Sequence, residues 1–207
     1  MRFKNIMNLK LSIIRRLLKQ GKTIQNLRNS DLSYSDLRYS NLSYSNLNGS
    51  NLRNSDLSDS YLRNSYLRNS DLRNSDLSGS YLRNSDLSGS NLRGSDLRYS
   101  NLSDSNLRGS DLRNSDLSYS DLRNSDLRDS DLSGSKGLKF IQISGIGSAN
   151  RQTTYLFNYD IVFCGCFKGT LVEFEEEVRK THVKNIQYLN EYLVLLKYIK
   201  KLKEIKQ

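Results

Sequence analysis

The chain of 207 residues contains no proline and no tryptophan, two cysteines and one histidine, and only 36% of it is hydrophobic. That fraction is low for a globular domain of this length, so a conventional layered core is not expected. Two cysteines exclude a disulfide-stapled scaffold. The longest aliphatic run is Leu193 to Leu196, far short of a membrane-spanning helix. At the start, Lys10, Arg15 and Arg16 interrupt the apolar residues before a secretory h-region can form. Acid is also scarce relative to base, since 32 Lys and Arg stand against 22 Asp and Glu for a net charge of +10.

What is abundant is a period. A leucine stands at every fifth position from Leu27 to Leu132, 22 times, and a serine at every fifth from Ser30 to Ser135, also 22 times. Counted from the serine, the unit is Ser, then Asp, Asn or Tyr, then Leu, then Arg or Ser (Asn once), then a variable residue, as in Ser70-Asp71-Leu72-Arg73-Asn74. Five matches neither the 3.6 of a helix nor the 2.0 of a strand, which turns attention from ordinary helices and sheets to a repeat architecture. Polar low-complexity tracts are commonly disordered, but disorder gives no reason to keep one large apolar residue in strict register.

This unit resembles the pentapeptide-repeat family over residues 26–135, with serine where the family more often has alanine. The resemblance implies a mainly β fold, a right-handed quadrilateral β-helix with one pentapeptide per side and four per coil. Leu and the preceding Ser would point inward. Twenty-two units then make 5.5 coils, about 26 Å of column at ~4.8 Å per coil. Each inward hydroxyl needs a partner, and backbone carbonyls of the same or the adjacent coil are the expected acceptors.

Residues twenty apart stack on that model. Asp36, Asp56, Asp76, Asp96 and Asp116 form one ladder, followed on the same side by Arg38, Ser58, Ser78, Arg98 and Ser118. A neighbouring face stacks Arg53, Arg73, Arg93 and Arg113, and Tyr61 and Tyr81 share a third. The family includes proteins that protect DNA gyrase from quinolones by mimicking duplex phosphates, so the Asp ladder admits that reading. Against it, residues 26–135 hold 13 Arg and 15 Asp, nearly neutral, whereas a mimic should be acidic over its whole contact surface. The alternative is a solubilising lattice of Asp and Arg.

Residues 1–25 are expected to form an N-terminal amphipathic helix that caps the column, with Met7, Leu11, Ile14 and Leu18 on its apolar face and Gly21 as its stop. Their seven Lys and Arg, without an acid, also suit a membrane surface or nucleic acid. Residues 136–207 are expected to form a small α+β domain: strands at Lys139 to Ile143, Thr153 to Phe157 and Asp160 to Phe167, then two helices. Thr170 and Glu173 have capping-box spacing, Leu171, Phe174 and Val178 share one helix face, and a helix from about Asn185 to Lys206 buries Tyr188, Leu189, Tyr192, Leu196 and Ile199. The run from Ile143-Ser144-Gly145-Ile146-Gly147 through Cys164-Gly165-Cys166 to Thr181-His182 resembles a C-terminal module of bacteriophage and prophage proteins.

No catalytic constellation emerges. Cys164, Cys166 and His182 do not have the ligand number of a closed zinc site, and Gly145-x-Gly147 lacks the third glycine of a dinucleotide loop. Packed core cysteines are the expectation. No enzyme activity, metal or cofactor is expected. The candidate interaction residues are the Asp36 to Asp116 and Arg53 to Arg113 ladders and the loop residues Asn150, Arg151 and Thr153. The expected partner is a protein, bound by a cytoplasmic scaffold of viral or phage origin, in the host cell or carried in the virion. Nucleic acid at the basic ends and homodimerisation through a terminal cap stay open.

Overall fold

The structure, a computed structural model, describes residues 24–147 and 151–205 together with Ile14, Arg16, Leu17 and Gln20. Ile14, Arg16 and Leu17 are helical, Gln20 is in a turn, and Ile24 and Gln25 are outside any helix; the other residues of the expected N-terminal cap lie outside the described residues. The chain divides into two compact units, Met1–Gly137 and Leu138–Gln207.

The first unit is a right-handed β-helix. Parallel bridges join each residue before a leucine to its counterpart twenty residues on, from Asn26↔Asn46 to Asp116↔Lys136, so four pentapeptides complete one coil. All 22 leucines are at most 4% exposed, and 19 of the 22 phased serines are buried beside them. One leucine per step therefore supplies a continuous apolar axis without a globular core.

In a mid-column step with Asp or Asn before leucine, each N–H has a partner. The N–H before leucine donates back one coil, as Asn51 does to the Ser30 carbonyl at 2.9 Å. The leucine N–H and the N–H two residues later donate forward one coil, as Leu32 does to Asn51 at 2.7 Å and Tyr34 to Arg53 at 2.9 Å. The serine N–H closes a turn onto the leucine three residues earlier, as Ser55 does onto Leu52 at 3.2 Å. The remaining N–H, just after leucine, is accepted by the Asp or Asn side chain just before leucine in 19 of 22 steps, at 2.9–3.3 Å. These are Asx turns, and they explain the Asp/Asn preference without any ligand.

The fifth residue of each step is not free to vary. It stands at positive φ in all 22 steps from Asn29 to Gly134, between 53 and 69 degrees, the third place of a type II turn. Seventeen of these corners are Asn, Asp or Gly, the residues that adopt the left-handed region at least cost.

The inward hydroxyls bond largely as expected. Ser45 donates to Leu42 of its own coil at 2.6 Å, and Ser70 reaches Leu47 one coil back at 2.8 Å. Ser40, Ser50, Ser60, Ser80 and Ser135 hold buried hydroxyls with no partner.

The second unit has an antiparallel sheet of β1 (Phe140–Ile146), β2 (Arg151–Leu156), β3 (Ile161–Cys164) and β4 (Phe167–Gly169), in that order, followed by α1 (Leu171–Thr181) and α2 (Ile186–Ile205). The expected single strand from Asp160 to Phe167 is corrected to a hairpin. Gly165, at φ 57 degrees, opens a two-residue turn that pairs Cys164 with Phe167. Thr170 and Glu173 form the capping box, and Asn185 Oδ1 accepts from Tyr188 N–H at the start of α2. Leu171, Phe174 and Val178 of α1 pack with Tyr192, Leu195, Leu196 and Ile199 of α2 against Tyr155 and Val162. Leu195 replaces the expected Tyr188 and Leu189, which are only half-buried.

Candidate functional site

Four faces follow from the twenty-residue stack, named here by the residue before leucine: the first carries the Asp31 ladder, the second Asp36, the third Asn41 and the fourth Asn46. On the second face Asp36, Asp56, Asp76, Asp96 and Asp116 bridge in order. Their charge is interrupted. Arg38 Nε lies 3.0 Å from Asp36 and 3.5 Å from Asp56, and Arg98 forks onto both oxygens of Asp96. Asp56, Asp76 and Asp116 each accept from the serine backbone two residues on.

The arginine ladder of the first face is likewise a row of pairs. Arg73 holds Asp71 at 2.6 Å and Arg113 holds Asp111 at 2.7 Å, while Arg53 stands 3.9 Å from Asp71. Arg93 donates its backbone N–H to Asn91 at 3.1 Å. Hydrogen bonds from the partner arginines lower the carboxyl pKa of Asp71, Asp96, Asp111 and Asp121, and the Ser118 hydrogen bonds lower that of Asp116.

Of the loop residues, Asn150 lies outside the described residues. Arg151 opens β2 opposite Ile146. Thr153 is 2% exposed within β2, its Oγ1 donating to Cys164 Sγ at 3.2 Å. The cysteines are not packed alike, which corrects the expectation of two core thiols: Cys164 is half-buried, with Tyr192 Oη 3.6 Å away, whereas Cys166 is exposed at the hairpin turn. His182, the C-cap of α1, stacks on Tyr192 at 5.3 Å. Among the described residues no group of His, Cys, Asp or Glu has the arrangement of a metal site, and no helix is long and apolar enough to cross a membrane.

What sequence reasoning missed is the column's tyrosines as a set. All eight are exposed, from 42% at Tyr81 to 80% at Tyr119. Tyr34, Tyr39, Tyr44, Tyr99 and Tyr119 occupy left-handed corners at φ 56–60 degrees, where a bulky side chain costs about 1 kcal/mol or more. Tyr61, Tyr66 and Tyr81 stand before leucine, and the three steps that lack the Asx turn are theirs. Two pairs stack along the column, Tyr61 on Tyr81 and Tyr99 on Tyr119, each with ring centroids 5.1 Å apart. The signal was available in the sequence: tyrosine at positions otherwise given to Asn, Asp and Gly.

A family model described as pentapeptide repeats matches eight copies over residues 26–59, 60–98 and 95–134. Among solved structures, the chain is similar to Rfr23, a pentapeptide repeat protein from the cyanobacterium Cyanothece 51142, at 24% identity and a TM-score of 0.54, covering 61% of this chain and 97% of that one. It is also similar to alr5209, a pentapeptide repeat protein from Nostoc, at 37% identity over 39% of this chain and 63% of that one, with a TM-score of 0.32. A third similar structure is QnrB1, a plasmid-mediated fluoroquinolone resistance protein, at 24% identity over 56% of this chain and 65% of that one, with a TM-score of 0.35. A search of curated protein sequences found no match.

Proposed function

The chain belongs to the pentapeptide-repeat family, and on that premise we propose that it is a non-enzymatic protein-binding scaffold whose recognition groups are the tyrosines of the column. The observation that carries this reading is their placement. Each of the eight exposed tyrosines occupies a position where the fold is better served by Asn, Asp or Gly. Residues that break a local structural rule in return for no more than two ring stacks point to a use outside the fold. Tyrosine suits such a use, because it offers a large amphipathic contact area with few rotatable bonds, on a backbone already held by the coil ladder.

Mimicry of duplex DNA by the Asp36 to Asp116 ladder is the weaker reading. Arg38 and Arg98 sit inside that ladder and hold its carboxylates, whereas a site built for DNA phosphates favours unbroken negative charge. A viral or phage origin joins the proposal on the sequence resemblance of the run from Ile143 to His182 to phage and prophage modules.

The test is affinity capture from the source organism with the chain and with a variant in which all eight column tyrosines are Asn. The scaffold reading expects a discrete protein partner that the variant no longer retains. A variant that retains the same partner contradicts it.

A further inference from the structure

Charge is not distributed evenly around the column. Between residues 26 and 85 there are six aspartates, and all of them (Asp31, Asp36, Asp56, Asp59, Asp71, Asp76) fall on the first and second faces. The third and fourth faces carry Arg28, Arg63, Arg68 and Arg83 over the same stretch and no acid. They also carry Tyr44, Tyr61, Tyr66 and Tyr81, half of the column's exposed tyrosines. Beyond residue 85 this segregation ends, because Asp86, Asp104, Asp121, Asp126 and Asp129 enter the same two faces.

The basic side is only partly neutralised by those later coils. Arg83 Nε lies 3.1 Å from Asp104 and Arg68 Nε 3.7 Å from Asp86. Among the described residues, Arg28 and Arg63 make no ion pair. An open groove of ≈ 690 Å³ on the third face is lined by Tyr44, Tyr61, Arg63, Asn64, Arg83 and Asn84.

We propose that the third and fourth faces over residues 26–84 form a docking surface for an acidic protein segment. The proposal rests on the scaffold reading and names the surface and the partner's chemistry. Charge complementarity gives the sign: four arginines, of which only Arg68 and Arg83 meet an aspartate and that from the later coils, select carboxylates and disfavour basic partners. The other outward residues there are Tyr, Asn, Ser and Gly, the set that protein-recognition surfaces use for rigid aromatic anchors flanked by adaptable hydrogen-bonding groups. A nucleic-acid strand fits less well. Tyr61 and Tyr81 cover each other's faces at 5.1 Å, so no base can enter between them, although unstacked aromatics are what single strands use as platforms. The net charge of +10 steers any anionic partner toward the chain but does not choose a face.

The experiment is tyrosine nitration of the full chain, read by mass spectrometry with and without a poly-L-glutamate peptide of roughly 20 residues. The peptide should slow nitration of Tyr44, Tyr61, Tyr66 and Tyr81 by about 3-fold or more and leave Tyr34, Tyr39, Tyr99 and Tyr119 nearly unchanged. The Arg63→Gln, Arg83→Gln variant should lose that protection, and the Arg93→Gln, Arg113→Gln variant on the first face should keep it. Uniform protection, no protection, or equal protection by an oligothymidylate of similar length overturns the proposal. Protection confined to Tyr34, Tyr39, Tyr99 or Tyr119 moves the surface elsewhere on the column and leaves the scaffold reading standing.

Discussion

Asn74 and Gly94 stand one above the other at a corner of the column, with Asn74 Oδ1 2.5 Å from the place a Cβ on Gly94 would take. Gly109, at a comparable φ of 66 degrees, has nothing within 4 Å of that place. Both glycines spare the chain a left-handed side chain, but only Gly94 also makes room for a neighbour. Gly109→Ala should therefore lower stability by about 1 kcal/mol, the cost of the backbone conformation. Gly94→Ala should cost several tenths more, because Asn74 must turn aside. Urea unfolding of the two variants decides it, and equal losses would remove the role given to Asn74.

The unbonded serines are a second point of leverage. Ser40, Ser60 and Ser80 stack in one ladder with hydroxyls that find no partner, so the triple Ser→Ala variant should melt at the same temperature or higher. Ser70, Ser85 and Ser95 donate to leucine carbonyls one coil back, at 2.5–2.8 Å. Replacing those three should lower stability by about 0.5–1.5 kcal/mol each. The same melting temperature for both triple variants would mean that the cross-coil hydroxyl bonds contribute nothing.

Acid should weaken the column through its arginine-held carboxylates. Asp71, Asp96, Asp111 and Asp121 have lowered pKa values, chiefly from the arginine hydrogen bonds. A carboxyl group with a depressed folded-state pKa adds stability above its unfolded value of about 3.9 and loses it as pH falls through the folded value. Melting temperature should thus be level from neutral pH to about 5 and fall below about 4. Replacing the four by Asn keeps the Asx turn, as Asn51 and Asn91 do in the ladder of Asp71 and Asp111, and should flatten the acid limb. An unchanged acid limb would assign the effect to other groups.

The two thiols should differ in reactivity. Cys166 is exposed at the β3–β4 turn, and Cys164 is half-buried beside Thr153 and Tyr192. Alkylation followed by mass spectrometry should label Cys166 about ten-fold faster or more, since reaction needs access to the thiolate. Equal rates would mean that the hairpin turn is wrongly assigned.

The column was legible because its determinants recur. Leu27 to Leu132 and Ser30 to Ser135 keep phase through every coil, and the bridges twenty residues apart follow from four such steps per turn. Less legible was the fifth position, which looked variable until its φ gave Asn74, Gly94 and Tyr99 the same left-handed conformation. Alternation from Asp160 to Phe167 hid the turn at Gly165, because a two-residue hairpin interrupts a strand pattern without changing its hydrophobic character. The candidate surface was harder still. Charge segregation between faces appears only when residues are sorted by coil, and Tyr66 or Arg63 carries no local mark of it.

The claim on which the rest depends is that the column tyrosines are held against the preference of the fold. Thermal unfolding of the variant with all eight replaced by Asn tests it directly. Relief of five left-handed tyrosines and recovery of three Asx turns should outweigh the two lost ring stacks, raising the melting temperature by about 5 °C or more. A variant that melts lower than the parent would make these tyrosines structural and contradict the account.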